Sequence, residues 1–222
     1  MKKELPLIHN YCPPARPAEN GKNPILILAH GYGADQDDLF SLAGEFPDVF
    51  HVVAVRAPYD LPFGGAAWYS LGYEGDKMMS DLAQAADSRD RLAECIRAAV
   101  EAYDADPQGV WLLGFSQGAI LSYGILSKYP SLVRHYIPLS GYVEPGVIDP
   151  SVRAHDYSAV RALAMHGTQD PVIPIRAGRA VQDFLKDAGV DFRYYEFPIG
   201  HGISAEGLVR VREWVEEGLK RK

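Results

Sequence analysis

The tightest constraint in this chain is a rhythm. Short apolar runs recur, each closed by Gly or Pro and followed by a polar segment of helical periodicity. The runs lie at 25–29, 52–55, 110–115, 136–139 and 163–165. Continuous apolar runs of that length suit strands buried on both faces, as in a mostly parallel sheet. The stretch FRYYEF at 192–197 is more mixed and reads as a strand nearer the edge.

Helical stripes fill the gaps. Leu92, Cys95, Ile96, Ala99 and Tyr103 share one face, ended by Asp106-Pro107. A second helix runs over 117–129 and stops before Pro130. Ala177, Val181, Phe184, Leu185 and Ala188 mark a third, closed by Gly189. Leu208, Val211, Val215 and Leu219 mark the last, with Ser204 as N-cap. Strands alternating with helices predict an α/β architecture, a mostly parallel central sheet with helices on both faces.

With 222 residues and 47% hydrophobic content, the chain can bury one sizeable core and is short for two. No repeat, low-complexity tract or linker divides it, so residues 1–222 read as a single domain. The net charge of −7 gives no footprint for nucleic acid or an anionic membrane. No window approaches the ~18 consecutive apolar residues of a membrane span. The N-terminal MKKELPLIHNYCPP lacks an apolar export core, because Glu4, Pro6, His9 and Asn10 interrupt it. A cytoplasmic protein with Cys12 and Cys95 as free thiols is expected.

One connection stands out. Residues 56–86 carry no clear periodicity and are expected to be largely irregular, and such long connections are usually functional. A shorter irregular stretch spans 144–157.

In an open parallel sheet, ligands bind beyond the carboxyl ends of the strands. Four inferred strand ends carry suggestive groups: His30-Gly31-Tyr32-Gly33, Ser116 within GFSQG, Asp170 within HGTQDPVIP, and His201 within IGHGIS. The order Ser, Asp, His along the chain is that of the α/β-hydrolase fold. A serine hydroxyl is a weak nucleophile until an adjacent base removes its proton, the role read for His201. Asp170 would fix the imidazole tautomer and stabilise the imidazolium. Gly114 and Gly118 lack side chains, which allows the tight strand-to-helix turn that lifts Ser116 above the sheet. The oxyanion needs preorganised donors, and the backbone N–H groups of Gln117 and Tyr32 are the candidates.

Blander roles compete. Asp170 could be an Asx-turn residue before Pro171, with Asp149 and Asp156 as weaker rivals for the acid. His9, His51, His135 and His155 read as surface groups. His30 and His166 stand at strand ends and read as hydrogen-bonded supports, since neither follows the acid in sequence. Gly64-Gly65 reads as a turn, lacking the Lys and Ser/Thr of a phosphate loop.

These motifs together resemble the phospholipase/carboxylesterase family, small α/β-hydrolases related to the acyl-protein thioesterases. LILAHGYGADQDDL, the WYS around Trp68, LLGFSQGAIL, HGTQDPVIP and PIGHGIS carry the resemblance, from about Leu26 to the last helix. It implies the triad and oxyanion roles already read from the residues. The thioesterase branch tends to have leucine after the HG of the first loop and an Arg-rich approach to its Trp. Here the loop reads HGYG and the approach FGGAAW, which is more similar to bacterial esterases.

The expected reaction is hydrolysis of carboxylic esters of short to medium acyl chains through an acyl-enzyme. It needs no metal and no organic cofactor. The alternatives are a lysophospholipase or acyl-protein thioesterase, or a non-catalytic protein of this fold that binds an ester-like ligand. The partner is a small-molecule ester or thioester, and a homodimer is left open. No large lid domain fits in the sequence. The acyl groove is expected to involve Phe63, Trp68 and Leu71 from the long connection, with Tyr142 and Val172 from neighbouring loops. The competing reading is that Trp68 and Phe63 only pin the long connection to the core; on the groove reading Trp68→Ala changes chain-length preference more than stability.

Overall fold

Seven strands form one twisted sheet. The computed structural model describes residues 1–18, 21–75 and 77–220. In chain order these form β1 (His9–Cys12), β2 (Ile25–Ala29), α1 (Gln36–Phe40), β3 (His51–Val55), β4 (Tyr59–Asp60) and β5 (Ala66–Ala67). Next come β6 (Leu71–Glu74), β7 (Lys77–Ser80), α2 (Leu82–Ala102), β8 (Val110–Phe115), α3 (Gln117–Lys128) and β9 (His135–Leu139). The remainder is β10 (Arg161–Gly167), α4 (Ile175–Ala188), β11 (Asp191–Phe197) and α5 (Ala205–Lys220). The sheet order is β1-β3-β2-β8-β9-β10-β11. Every neighbouring pair is parallel except β1 with β3.

The apolar runs build this sheet because alternate residues feed opposite faces. Ile25, Ile27, Val53 and Leu112 join α2, α3 and α4 in one core. Leu26, Leu28, Val52, Trp111 and Leu113 join α1 and α5 in the other. Residues buried on both faces leave no polar alternation, hence the continuous runs. The helices end on ordinary capping chemistry. Gly189 closes α4 at φ 78°, and Ser204 Oγ accepts the Gly207 N–H at the start of α5.

Three expectations change. Residues 56–86 are not irregular throughout: β4 pairs with β5, β6 pairs with β7, and α2 has begun by Leu82. These hairpins are too short to show a period, so only Gly-rich turns mark them in sequence. The antiparallel edge strand β1 also lacks a sequence signal, being four residues of mixed polarity.

The third change concerns the histidines read as surface groups. His9 is 3% exposed on β1, bonded to the Tyr103 hydroxyl at 2.9 Å, and Tyr11 stacks on Tyr103 at 3.9 Å. His51 is buried and hydrogen-bonds the Tyr11 hydroxyl at 3.0 Å. His135 stacks on Trp111 at 3.7 Å, and burial with the nearby Arg161 and Arg134 charges lowers its pKa to about 4. His155, partly buried, lies 3.0 Å from Ser151 Oγ. Nothing in one sequence separates a histidine under an aromatic layer from one in water. Among the described residues, no helix is long and apolar enough to cross a membrane.

Candidate active site

The carboxyl ends of β2, β8, β9, β10 and β11 lie side by side, which brings the four predicted segments to one edge of the sheet. Ser116 sits between β8 and α3 at φ 54°, ψ −114°. A positive φ costs a serine on the order of 1–3 kcal/mol, so the surroundings must impose it. They do so through two glycines. A Cβ at Gly118 would collide with the Ala29 carbonyl on β2, and one at Gly114 with the Gly118 carbonyl. The turn can therefore pack directly on its neighbours, and the Ser116 N–H is fixed to the Leu139 carbonyl at 3.0 Å.

Asp170 and His201 meet across the loops after β10 and β11. His201 Nδ1 donates to Asp170 Oδ2 at 2.7 Å. That bond assigns the proton to Nδ1 and leaves Nε2 as the basic nitrogen. Asp170 is 7% exposed, and its other oxygen accepts the Val172 and Ile173 N–H groups at 2.8 and 2.9 Å. Burial alone would raise the Asp170 pKa. The His201 bond and the two backbone donors outweigh it, and the net pKa falls below the ordinary carboxylate value. The Asx-turn reading is thus also realised in the structure. One carboxylate oxygen makes the turn and the other faces His201. Asp149 and Asp156 instead cap Ser151 and Ser158 locally.

The remaining strand-end histidines are occupied. His30 is 1% exposed; Nδ1 donates to the Gly31 carbonyl at 2.6 Å, and Nε2 accepts the Ala57 N–H at 3.0 Å. Burial holds its pKa below the ordinary imidazole value. His166 Nε2 donates to the Ile173 carbonyl at 2.8 Å and lies 3.4 Å from Asp170 Oδ2, beneath the acid's loop.

The Tyr32–Gln117 side of the site rests on a scaffold that no motif announces. Gln117 heads α3, where the first N–H groups have no intrahelical acceptor. Its buried side chain binds twice: Oε1 accepts the Trp68 N–H at 3.0 Å and Nε2 donates to the Tyr69 carbonyl at 2.9 Å. Trp68 Nε1 in turn donates to the His30 carbonyl at 2.8 Å, and Ser88 Oγ donates to the Trp68 carbonyl. The Gly33 N–H reaches the Ala66 carbonyl at 2.9 Å, and the Ala66 N–H reaches the Ala34 carbonyl at 2.7 Å. Among the described residues, the Tyr32 N–H has no partner. A chain of hydrogen bonds thus ties the residue after Ser116 to the loop holding Tyr32.

The expected groove residues scatter. Trp68 is fully buried with its polar atoms taken, so it offers no surface to an acyl chain; the expectation that it lines a groove is corrected. Leu71 and Tyr142 are partly buried against the α2–α3–α4 core, with the Tyr142 hydroxyl 3.1 Å from Glu144 Oε2. Phe63 is 72% exposed beside Tyr32, and Val172 is 54% exposed next to Asp170. Sequence reading also missed Ser140. It lies at the end of β9 with φ 51°, and its hydroxyl donates to the Gly202 carbonyl beside His201 at 3.3 Å. The only trace of it is the small Ser140-Gly141 pair after an apolar run.

The sheet order, crossover helices and strand-to-helix serine turn define an α/β-hydrolase fold. Within that class, the chain belongs to the phospholipase/carboxylesterase family, whose profile matches residues 12–218. Over 116 residues it is 32% identical to carboxylesterase SOBER1 of Arabidopsis thaliana, covering 52% of this chain and 51% of that protein. The chain spans about half the length of the curated relatives that it matches first. A longer match at 26% identity pairs 88% of this chain with 94% of the putative hydrolase MhqD of Bacillus subtilis (strain 168). Among solved structures, esterase PE8 aligns with a TM-score of 0.82 at 27% identity, covering 95% of this chain and 98% of that one. The Bacillus cereus carboxylesterase shares the fold, with a TM-score of 0.80 at 20% identity over 95% of this chain and 94% of that one.

Proposed function

We propose that the protein is a serine hydrolase of carboxylic esters, with Ser116 as nucleophile, His201 as general base and acid, and Asp170 as its orienting carboxylate. The observation that carries this reading is the pairing of a strained Ser116 at the strand-to-helix turn with a His201–Asp170 hydrogen bond of 2.7 Å. His201 Nε2 takes the Ser116 proton as Oγ bonds to the ester carbonyl carbon, and the carbonyl electron pair moves to oxygen. The Tyr32 and Gln117 N–H groups hold that oxyanion. When the intermediate collapses, the bond to the alcohol oxygen breaks, and the proton on Nε2 passes to it. Water then attacks the acyl-enzyme, gives its proton to Nε2, and Ser116 leaves with that proton as the acid is released.

The acyl chain is read as short to medium, because Trp68 contributes no groove wall and the expected groove residues Phe63 and Val172 lie exposed rather than enclosing a long cavity. The test is hydrolysis of p-nitrophenyl esters from C2 to C16 by wild type and Ser116→Ala. The expected result is turnover that falls by about 10³-fold or more in a folded Ser116→Ala. Equal activity of the two proteins, or no fluorophosphonate labelling of folded wild type, would sink the reading.

A further inference from the structure

A cleft of about 400 Å³ opens beside the site, on the sheet face covered by α1 and α5. Leu39 and Leu42 from the α1 side, Ile203 and Leu208 from the α5 side, Phe115 and the exposed Asp38 are among its lining residues. Its lining residues neighbour the proposed catalytic groups. Phe115 immediately precedes Ser116, and its ring centroid lies 4.9 Å from that of His201. Gly202, Ile203 and Ser204 of the lining follow His201 directly. Trp68, Leu71 and Tyr142 pack with the core on the opposite face of the sheet.

Resting on the esterase reading above, we propose that this cleft binds the alcohol part of the substrate, and that the alcohol is bulky, apolar and not anionic. The leaving oxygen must reach His201 to be protonated, so the group attached to it has to lie on the histidine's side of the site. A volume near 400 Å³ is far more than methanol or ethanol needs, and falls in the range of small-molecule pockets. Five of the lining side chains are large and apolar, and none is Lys or Arg. Among the described residues, the only charged one in the lining is Asp38, through its carboxylate. The two helix starts at the cleft also carry acids, Asp37 with Asp38 on α1 and Glu206 on α5. Ser204 already takes the Gly207 N–H through its hydroxyl and the Leu208 N–H through its carbonyl. A phosphate or carboxylate on the alcohol would enter beside the Asp38 carboxylate with no Lys or Arg among the described lining residues to offset it.

The test uses acetate esters that share one acyl group and differ in the alcohol: methanol, benzyl alcohol and 4-(hydroxymethyl)benzoate. Wild type should prefer the benzyl over the methyl ester by about tenfold in kcat/KM, and over the carboxylated ester by a similar factor. Leu42→Trp fills the cleft and should lower the benzyl-to-methyl ratio about tenfold. Asp38→Asn, at an exposed position that tolerates change, should narrow the discrimination against the carboxylated ester about fivefold. Unchanged ratios in variants that still label with fluorophosphonate overturn the cleft proposal and leave the esterase reading standing. If Leu42→Trp does not fold, the Asp38→Asn ratio decides alone. Wild type that neither labels nor cleaves any of the three esters overturns the esterase reading, and the cleft proposal with it.

Discussion

The two arms of the site are built on opposite principles. In the proposed mechanism the Asp170–His201 arm works through its own side chains, joined by one 2.7 Å hydrogen bond. The Tyr32–Gln117 arm would act through backbone N–H groups, and the Gln117 and Trp68 side chains hold that backbone in place. A side-chain arm should therefore fail sharply when one atom changes. A backbone arm should fail by degrees, losing stability together with rate.

The largest effect should come from Asp170→Asn. The amide can still accept from Val172 and Ile173 N–H but favours the wrong His201 tautomer, so kcat should drop about 10³- to 10⁴-fold with little change in fold. The same bond predicts acid behaviour. The Asp170 pKa is depressed in the folded protein, so the stability it adds is present above the ordinary value of 3.8 and is lost as pH falls below that through the folded value. Steady-state kinetics with circular dichroism on the same samples test the claim. A loss under tenfold would mean that Asp170 is only a turn residue.

Gln117→Leu should strike the other arm. It strands the buried Trp68 N–H and Tyr69 carbonyl, at a cost of roughly 2–4 kcal/mol in stability. The Tyr32–Gln117 geometry loosens with it, and kcat should fall about 10- to 100-fold. Gln117→Glu keeps the acceptor for Trp68 but sets a buried carboxylate against the Tyr69 carbonyl, and should cost at least as much. Denaturant unfolding run beside kinetics would show rate and stability moving together; a rate loss at full stability would contradict the scaffold.

That contrast also explains what the sequence made legible. Ser116, Asp170 and His201 sit in short motifs at strand ends, and the rhythm of apolar runs placed those ends on one edge before any coordinates. The apolar runs also marked both cores, because burial on two faces writes itself as continuous hydrophobicity. The scaffold left no such mark. Gln117 reads as the residue after the serine, and nothing local says that its amide reaches Trp68, 49 positions away. Trp68 reads as a loop aromatic that either lines the groove or pins the loop to the core, and only tertiary contact shows it sealed beneath the His30 carbonyl. The short strands β4 to β7 and the edge strand β1 were missed for a related reason. They are held by partners and not by their own periodicity.

Trp68→Phe sharpens the comparison further. It removes the donor to the His30 carbonyl and leaves a buried acceptor unpaired, which should cost about 1–3 kcal/mol. Rates on every p-nitrophenyl ester should fall by a common factor of a few. A selective loss on one chain length would restore Trp68 as a groove wall, the role its burial argues against.

The smallest effect tests whether the acid–base arm works independently of the rest of the molecule. His135 lies at the start of β9, at the opposite end of the strands from Ser116, with a pKa lowered to about 4 by burial and neighbouring arginines. Between the ordinary value of 6.5 and about 4, the unfolded chain binds a proton at this site that the folded protein does not. Stability must therefore fall as pH drops through that window, by about 3 kcal/mol at most from this residue. His135→Phe keeps an aromatic ring against Trp111. It gives up no hydrogen bond at Nδ1, which is buried without a partner among the described residues. Thermal unfolding between pH 7 and 4.5 should show a flatter loss in the variant, while the pH profile of kcat/KM stays that of wild type. If the variant moved the activity profile as well, the acid–base arm would be coupled to the far end of the sheet and could no longer be treated as a local device.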